Sequence, residues 1–345
     1  MQGYPESWKA GPTSDKELRP HHGEAILAVT TKENLAVTAS ADHGLRVWDT
    51  NKGSHSRQLY SKNFGHTEWV TCCQILSDKR ILSGAMDGKL CLWDRRAVRC
   101  ENLKQHGATI SQVKVDESNI AVTSSYDKSL IVWDLNRTRP LNALKCNNAV
   151  LGFEWHNSLV VAGDRGGRVS MFDVNTGTCI QAGNLHSGAV HKVALISDGG
   201  NCNLVVSAGG KDAKVVVQDM RSHSPVFSKQ VHSGAVNFLS GAFGRAVVTA
   251  SADSSIKVLD VSMNFQERVQ LQATGAVLCG ELMEDLFVAG CADGNLLVYD
   301  IEMEDCLFGF GGDSQGGVNA LAISSDRTRL ISGGQSGVPL LLNFN

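Results

Sequence analysis

The sequence predicts an all-β protein, a closed β-propeller with eight four-stranded blades favoured over seven. Three observations predict it. A strand ending in an aromatic residue and an aspartate recurs along the chain. A turn aspartate precedes it at a fixed interval, and a histidine precedes the strand that opens most units.

The recurrent strand occupies residues 45–49, 90–94, 130–134, 169–173, 215–219, 256–260 and 296–300, with a degenerate eighth copy at 340–343. Its terminal Asp or Asn returns every 39 to 46 residues. That is the period of four short strands with their turns, and it leaves no room for a grafted domain. Seven residues before the terminal position stand Asp42, Asp87, Asp127, Asp212, Asp253 and Asp293. Each precedes a polar or glycine-containing turn, as in Asp87-Gly88-Lys89, and so marks a hairpin. His22, His66, His106, His186 and His232 each lie four residues before an apolar strand residue: Ile26, Val70, Ile110, Val190 and Val236. Units four, seven and eight keep the strand start at Val150, Val277 and Val318 without the histidine. Unit four has Gly166 where the turn aspartate belongs, and unit eight has Ser336 there with Asn343 at its end. Seven blades is the count if either of those units is irregular.

These features resemble the WD40-repeat family over roughly residues 18 to 345. The fit is fullest at Gly65-His66, Ser83, Asp87 and Trp93-Asp94. His22, Thr38, Asp42 and Trp48 follow it in the first unit, and His106, Thr123, Asp127 and Trp133 in the third. The resemblance implies that each such set is a hydrogen-bonded relay inside one blade. The physics agrees, because a buried carboxylate and imidazole are costly unless every polar atom has a partner. Indole N–H, hydroxyl, imidazole and carboxylate satisfy one another in a chain. An Asp-His-Ser set also suggests a hydrolase, but a catalytic triad occurs once per site and this one recurs. These sets are therefore assigned to structure, and no catalytic residue is assigned.

The resemblance further implies that the N-terminus supplies the outer strand of the last blade, which has only three strands of its own. Residues 14–20, around Leu18, are the segment available for it, and such closure removes two exposed sheet edges. Residues 14–345 then form a single domain, and residues 1–13, rich in Gly and Pro, a short flexible tail. Trp8 in that tail either docks on the ring or serves as an interaction handle.

Relatives of this kind bind partners on one face, through three positions per blade. These are the residues flanking the first apolar residue of the inner strand and the residue before the turn aspartate. Carried over, they are Ala25, Leu27 and Ala41; Trp69, Thr71 and Met86; Thr109, Ser111 and Tyr126; and Ala149, Leu151 and Arg165. Blade five supplies Ala189, His191 and Lys211, and the remaining blades Ala235, Asn237, Ala252, Ala276, Leu278, Ala292, Gly317, Asn319 and Gln335. Trp69, Met86 and Tyr126 make an aromatic and thioether patch, and Arg165, His191 and Lys211 a basic one. Those residue types suit a protein or peptide partner that carries a hydrophobic anchor beside an acidic or phosphorylated residue.

Composition narrows the function classes. The chain has 345 residues, 42% of them hydrophobic and 19% charged, with a formal net charge of −3. It therefore has material for a core and no global attraction to nucleic acid or anionic membrane. No Lys/Arg stripe interleaved with aromatics suggests direct RNA binding. No apolar run approaches the ~20 residues of a membrane span. The first residues lack the charged and apolar regions of a signal peptide, and Gly3 is one place late for myristoylation. The ten cysteines form no CxxC pair, and Cys91, Cys279 and Cys291 sit in apolar strand patterns. They read as reduced, buried hydrophobes of an intracellular, cytoplasmic protein. No metal site or cofactor is expected. The expected function is a non-catalytic scaffold or adaptor within a larger complex, for example a ciliary, cytoskeletal or signalling assembly. The alternatives are a ubiquitin-ligase substrate receptor or a component of an RNA-processing complex. The receptor reading lacks an adaptor-binding helical domain, and only Arg165 is placed for a phosphate pocket.

Overall fold

The computed structural model describes residues 4–60, 64–96, 99–198, 201–222, 224–242, 246–313 and 315–344. They form eight separate four-stranded antiparallel sheets. Blade one shows the plan, with strands Ile26–Lys32, Leu35–Ser40, Leu45–Asp49 and Ser54–Leu59 hydrogen-bonded in sequence order from the inside out. The inner strands of successive blades neighbour one another round the ring, and that of blade eight (Val318–Ile323) neighbours that of blade one. Units four and eight are regular in backbone, so the count is eight.

Two local devices repeat in every blade. The residue after the turn position has positive φ throughout: His43, Gly88, Lys128, Gly167, Ala213, Ser254, Gly294 and Gly337. The turn aspartate makes that bend affordable by accepting the N–H two residues on, as Asp42 does from Gly44 at 3.0 Å and Asp87 from Lys89 at 2.9 Å. Each inner strand also carries a β-bulge just after its first apolar residue, seen in blade one between Ile26 and Ala28.

The core lies between blades. One cluster joins Val37, Leu45 and Val47 of blade one to Val70, Ile81, Cys91 and Trp93 of blade two. The seam between blades eight and one is filled by Leu18, Ala36, Trp48, Ile331 and Leu341. Each blade is therefore stable only with neighbours on both sides, which makes closure decisive. Ser14–Glu17 supplies it by pairing antiparallel with Leu340–Asn343, so that the two ends of the chain share one sheet.

Residues 1–3 of the segment read as a flexible tail lie outside the described residues, and residues 4–13 are not a loose tail. Trp8 is fully buried and stacks on Phe344 with ring centroids 3.7 Å apart. Its Nε1 donates to the Arg327 carbonyl at 2.6 Å, and the Tyr4 hydroxyl donates to the Asp300 carboxylate at 2.6 Å. An indole with an apolar bed and an acceptor for its one N–H gains more by docking than by remaining in water.

The polar relays hold the strands of single blades together. His22 Nε2 lies 2.8 Å from Thr38 Oγ1, which also accepts from Trp48 Nε1 at 2.9 Å, and His22 Nδ1 lies 2.9 Å from Asp42. Blade two repeats this with His66, Ser83 and Trp93 at 2.7 and 2.8 Å, and the longer Asp87 contact at 3.4 Å. His106, Thr123, Trp133 and Asp127 follow at 2.8, 2.9 and 2.8 Å. Blades five and six keep shorter versions, in which His186 contacts Ser207 and Asp212, and His232 contacts Thr249 and Asp253. Blade four has Cys146 in the histidine place and moves its aspartate two residues back. Asn148 donates to Asp164 at 3.3 Å, and Asp164 accepts from Gly166 and Arg168. Blade eight exchanges the roles across the same gap, with Asp313 on the incoming loop accepting from Ser336 N and Oγ at 2.9 and 2.7 Å.

Burial holds His22, His106, His186 and His232 below the usual imidazole pKa, despite the carboxylate beside each. Burial alone would raise the Asp42 carboxyl, but His22, Arg46 and the Gly23 N–H together hold it well below the usual range. In blades one, three, five and six the relays thus set neutral imidazoles against ionised carboxylates.

Three outcomes are expected. Trp8→Ala costs about 3–5 kcal/mol in denaturant unfolding, the range for an aromatic removed from a packed site; an unchanged midpoint would contradict the docking. Thr123→Val strands the His106 and Trp133 nitrogens at about 1–3 kcal/mol each, whereas Thr50→Val, outside the relays, is close to neutral. On acidification the unfolded chain binds more protons than the folded one, because both groups have depressed folded pKa values. Stability is therefore full above about pH 6.5 and falls below it, the imidazoles contributing first and the carboxylates below about pH 4. A melting temperature that stays flat from pH 7.5 to 5 would refute the neutral-imidazole assignment.

Candidate functional site

The inner-strand bulge and the second hairpin of each blade meet on one face. The residue before the bulged strand offers its carbonyl to the N–H of the residue before the turn position. Trp69 to Met86, Thr109 to Tyr126 and Ala149 to Arg165 each make this bond at 2.9 Å. Trp69, Met86 and Tyr126 are 49%, 42% and 42% exposed on adjacent blades. Arg165, His191 and Lys211 are also exposed. The far side of the same face presents Ala252 and Ala292 as exposed small residues, with Ala41 buried. Gln335 of blade eight is exposed there too, so it is the aromatic, thioether and cationic side chains that gather on blades two to five.

Blade five departs from the expected register. The carbonyl of Ala189 accepts from Gly210, not from Lys211, because the blade has one extra residue between Ser207 and Asp212. Gly210 leaves room for the His191 ring, since a Cβ there would lie 2.8 Å from His191 Cδ2. Lys211 is displaced over Gly188. His191 is held below the usual imidazole pKa by burial and by Lys192, so the positive charge of this patch rests on Arg165 and Lys211.

Four of the residues expected to face a partner instead join the blades. Thr71, Ser111, Asn237 and Asn319 sit at the bulges, and each donates to the carbonyl that opens the next inner strand. The acceptors are Ile110 at 2.5 Å, Val150 at 2.8 Å, Val277 at 2.8 Å and Ile26 at 3.1 Å. A hydroxyl or amide beside an unpaired carbonyl satisfies the break that the bulge leaves in the ladder.

The central channel holds titratable residues that the repeat conceals. It contains a cavity of about 830 Å³ lined by Gln112, Lys114, Glu154, His156, Lys192 and Glu281 among others. Lys114 and Glu154 are paired at 2.5 Å. Burial pushes Glu281 up to about 7, offset in part by Lys114, and holds Lys192 below the usual lysine pKa. Blade eight has Ala320 and Ala322 at the equivalent positions, whereas Gln74, Gln112, Lys114, Glu154, Lys192 and Glu281 bring polar groups from blades two, three, four, five and seven. Among the described residues, no group of three or more His, Cys, Asp or Glu side chains is arranged to hold a metal ion, and no helix is long and apolar enough to cross a membrane. Burial raises the thiols of Cys72 and Cys279 to about 12, which keeps them protonated and inert.

Comparisons with known proteins agree with this architecture. The family model for the WD domain, G-beta repeat, matches residues 57–94, 98–134 and 304–338. The zebrafish p21-activated protein kinase-interacting protein 1-like is 24% identical over 79% of this chain and 74% of its own length. Mouse cilia- and flagella-associated protein 52 is 28% identical over 61% of the chain, and Arabidopsis autophagy-related protein 16 is 24% identical over 70%. The chain spans only 36% and 48% of those two proteins. The crystal structure of the computationally designed Ika8 protein superposes with a TM-score of 0.81 at 25% identity, covering 95% of this chain and 98% of that one. WD40 propellers bind other proteins, and the zebrafish and mouse relatives are named as interacting and associated proteins. The chain is an eight-bladed β-propeller that carries WD40 repeats at residues 57–94, 98–134 and 304–338.

Proposed function

We propose that the protein is a non-catalytic interaction platform, an intracellular scaffold or adaptor that holds a partner protein against the face of blades two to five. The observation that carries this reading is the exposure of Trp69, Met86 and Tyr126 on neighbouring blades of a rigid ring. Large exposed aromatics on a fixed scaffold are the usual anchors of an interface. Arg165 and Lys211 beside them favour a partner with an acidic or phosphorylated residue next to its hydrophobic anchor, since charge complementarity sets orientation and on-rate. The similarity to a kinase-interacting protein and to a cilia- and flagella-associated protein supports membership of a larger assembly.

The test is affinity purification of the tagged full chain with mass spectrometry, compared with Trp69→Ala combined with Lys211→Glu. Partners held by the wild type are expected to fall by about tenfold or more in the variant, as for loss of a hot-spot residue. Undiminished capture by the folded variant would place the partner surface elsewhere.

A further inference from the structure

Blade two carries two cysteines that the repeat does not require. Cys91 lies on its third strand (Leu90–Trp93), and Cys100 opens its outer strand (Cys100–Leu103). The register pairs Cys91 with Asn102 and Trp93 with Cys100, so the two cysteines are diagonal neighbours on one face of the sheet. The same two positions hold Arg46 and His55 in blade one, and Ile131 and Pro140 in blade three. Blade packing therefore tolerates very different side chains there.

Both thiols are free, and they differ in character. Cys91 is buried, with its Sγ 3.9 Å from His66 Nδ1 of the relay, whereas Cys100 is half-buried at the outer edge of the blade. The Cys91 S–H donates to the Cys100 sulfur. That bond, with the Gly65 N–H and the Lys89 ammonium, holds the Cys100 thiol below its usual pKa against the effect of burial. The same bond, together with burial, pushes Cys91 up. Burial raises Cys72, Cys146, Cys279 and Cys291, so Cys100 moves in the opposite direction from these thiols. The thiolate is the reactive form of cysteine, and a partly accessible one beside a second thiol suits oxidation followed by disulfide closure.

The backbone allows that closure. Diagonal neighbours lie about 7–8 Å apart at Cα and a disulfide spans up to about 6.8 Å, so bridging requires a shift of about 1 Å. Cys100–Leu103 is the edge strand of its sheet and pairs there only with Leu90–Trp93, which leaves it free to make that shift.

We propose that Cys100 is a hydroperoxide-reactive thiol and that Cys91 resolves it, closing a reversible Cys91–Cys100 disulfide within blade two. The Cys100 thiolate attacks one peroxide oxygen and the O–O bond breaks. With hydrogen peroxide, the leaving hydroxide takes up the proton that Cys100 had released and becomes water, and Cys100 becomes a sulfenic acid. The Cys91 sulfur then attacks Cys100 Sγ while its proton passes to the departing hydroxyl, giving the S–S bond and a second water. Two electrons pass from the two thiols to the peroxide. This chemistry does not rest on partner binding.

Peptide mapping tests it. The reduced full chain is exposed to hydrogen peroxide in chelator-containing buffer, alkylated and digested with trypsin, which cuts after Lys89, Arg95, Arg99 and Lys104 and so separates the two cysteines. The expected product is the Leu90–Arg95 peptide disulfide-linked to the Cys100–Lys104 peptide, with loss of the link on treatment with dithiothreitol. Cys91→Ala is expected to stop at the Cys100 sulfenic acid, trapped by dimedone, and Cys100→Ser to abolish peroxide-dependent modification of Cys91. In the unoxidised protein at pH 7, iodoacetamide is expected to label Cys100 faster than Cys179, although Cys179 is the more exposed of the two. Absence of the linked peptide from the oxidised wild type overturns the proposal, as does labelling of Cys179 ahead of Cys100. Both of those measurements use the wild type, so they decide the matter even if a variant fails to fold.

Discussion

Ser14–Glu17 pairs with Leu340–Asn343, and the inner strand of blade eight lies against that of blade one. A single blade cannot bury both faces of its sheet, so each one relies on the next, and the ring depends on this seam between the chain ends. The contacts that reinforce the seam are of three kinds. Leu18 and Trp48 pack with Ile331 and Leu341, Asn319 donates to the Ile26 carbonyl, and Trp8 stacks on Phe344. Backbone pairing, polar stitching and aromatic stacking thus coincide where a repeat fold has its weakest point. The exposed edge that an open ring would present to other chains is removed by the same pairing.

The relays and the bulge stitches solve related problems at different scales. Within a blade, a histidine bridges an aspartate and a hydroxyl, tying the incoming loop to the second hairpin. Between blades, a hydroxyl or amide at the bulge satisfies the carbonyl that starts the next inner strand. Blades four and eight show that the relay is a requirement on geometry and not on residue identity. Asn148 with Asp164, and Asp313 with Ser336, fill the same gap with other donors and acceptors. Rigidity of this kind is what a binding face needs, because side chains such as Trp69 and Tyr126 then present themselves without an ordering cost.

The blade period, the turn positions and the three full relays were legible because each recurs at a fixed spacing within one unit. The exposed positions of Trp69, Met86 and Tyr126 were legible for the same reason. What escaped was whatever depends on two blades at once. Thr71, Ser111, Asn237 and Asn319 look like surface residues by position, yet their acceptors belong to the next blade. Lys211 was misplaced by one residue, because an insertion between Ser207 and Asp212 shifts the register without disturbing the motif.

The sequence by itself determined the fold, because repetition of a local pattern forces like units to stack and a stack of twisted sheets closes. It also determined which polar residues are structural, since a constellation repeated in successive blades cannot be a unique reaction centre. The tertiary structure decided the fate of residues 4–13, where an apolar bed built from blades seven and eight captures Trp8 and Tyr4. It also decided the character of the channel, where Gln112, Lys192 and Glu281 share a cavity only because strands 80 to 169 residues apart line one axis. Spacing within a blade is written along the chain, whereas proximity across the ring exists only after closure.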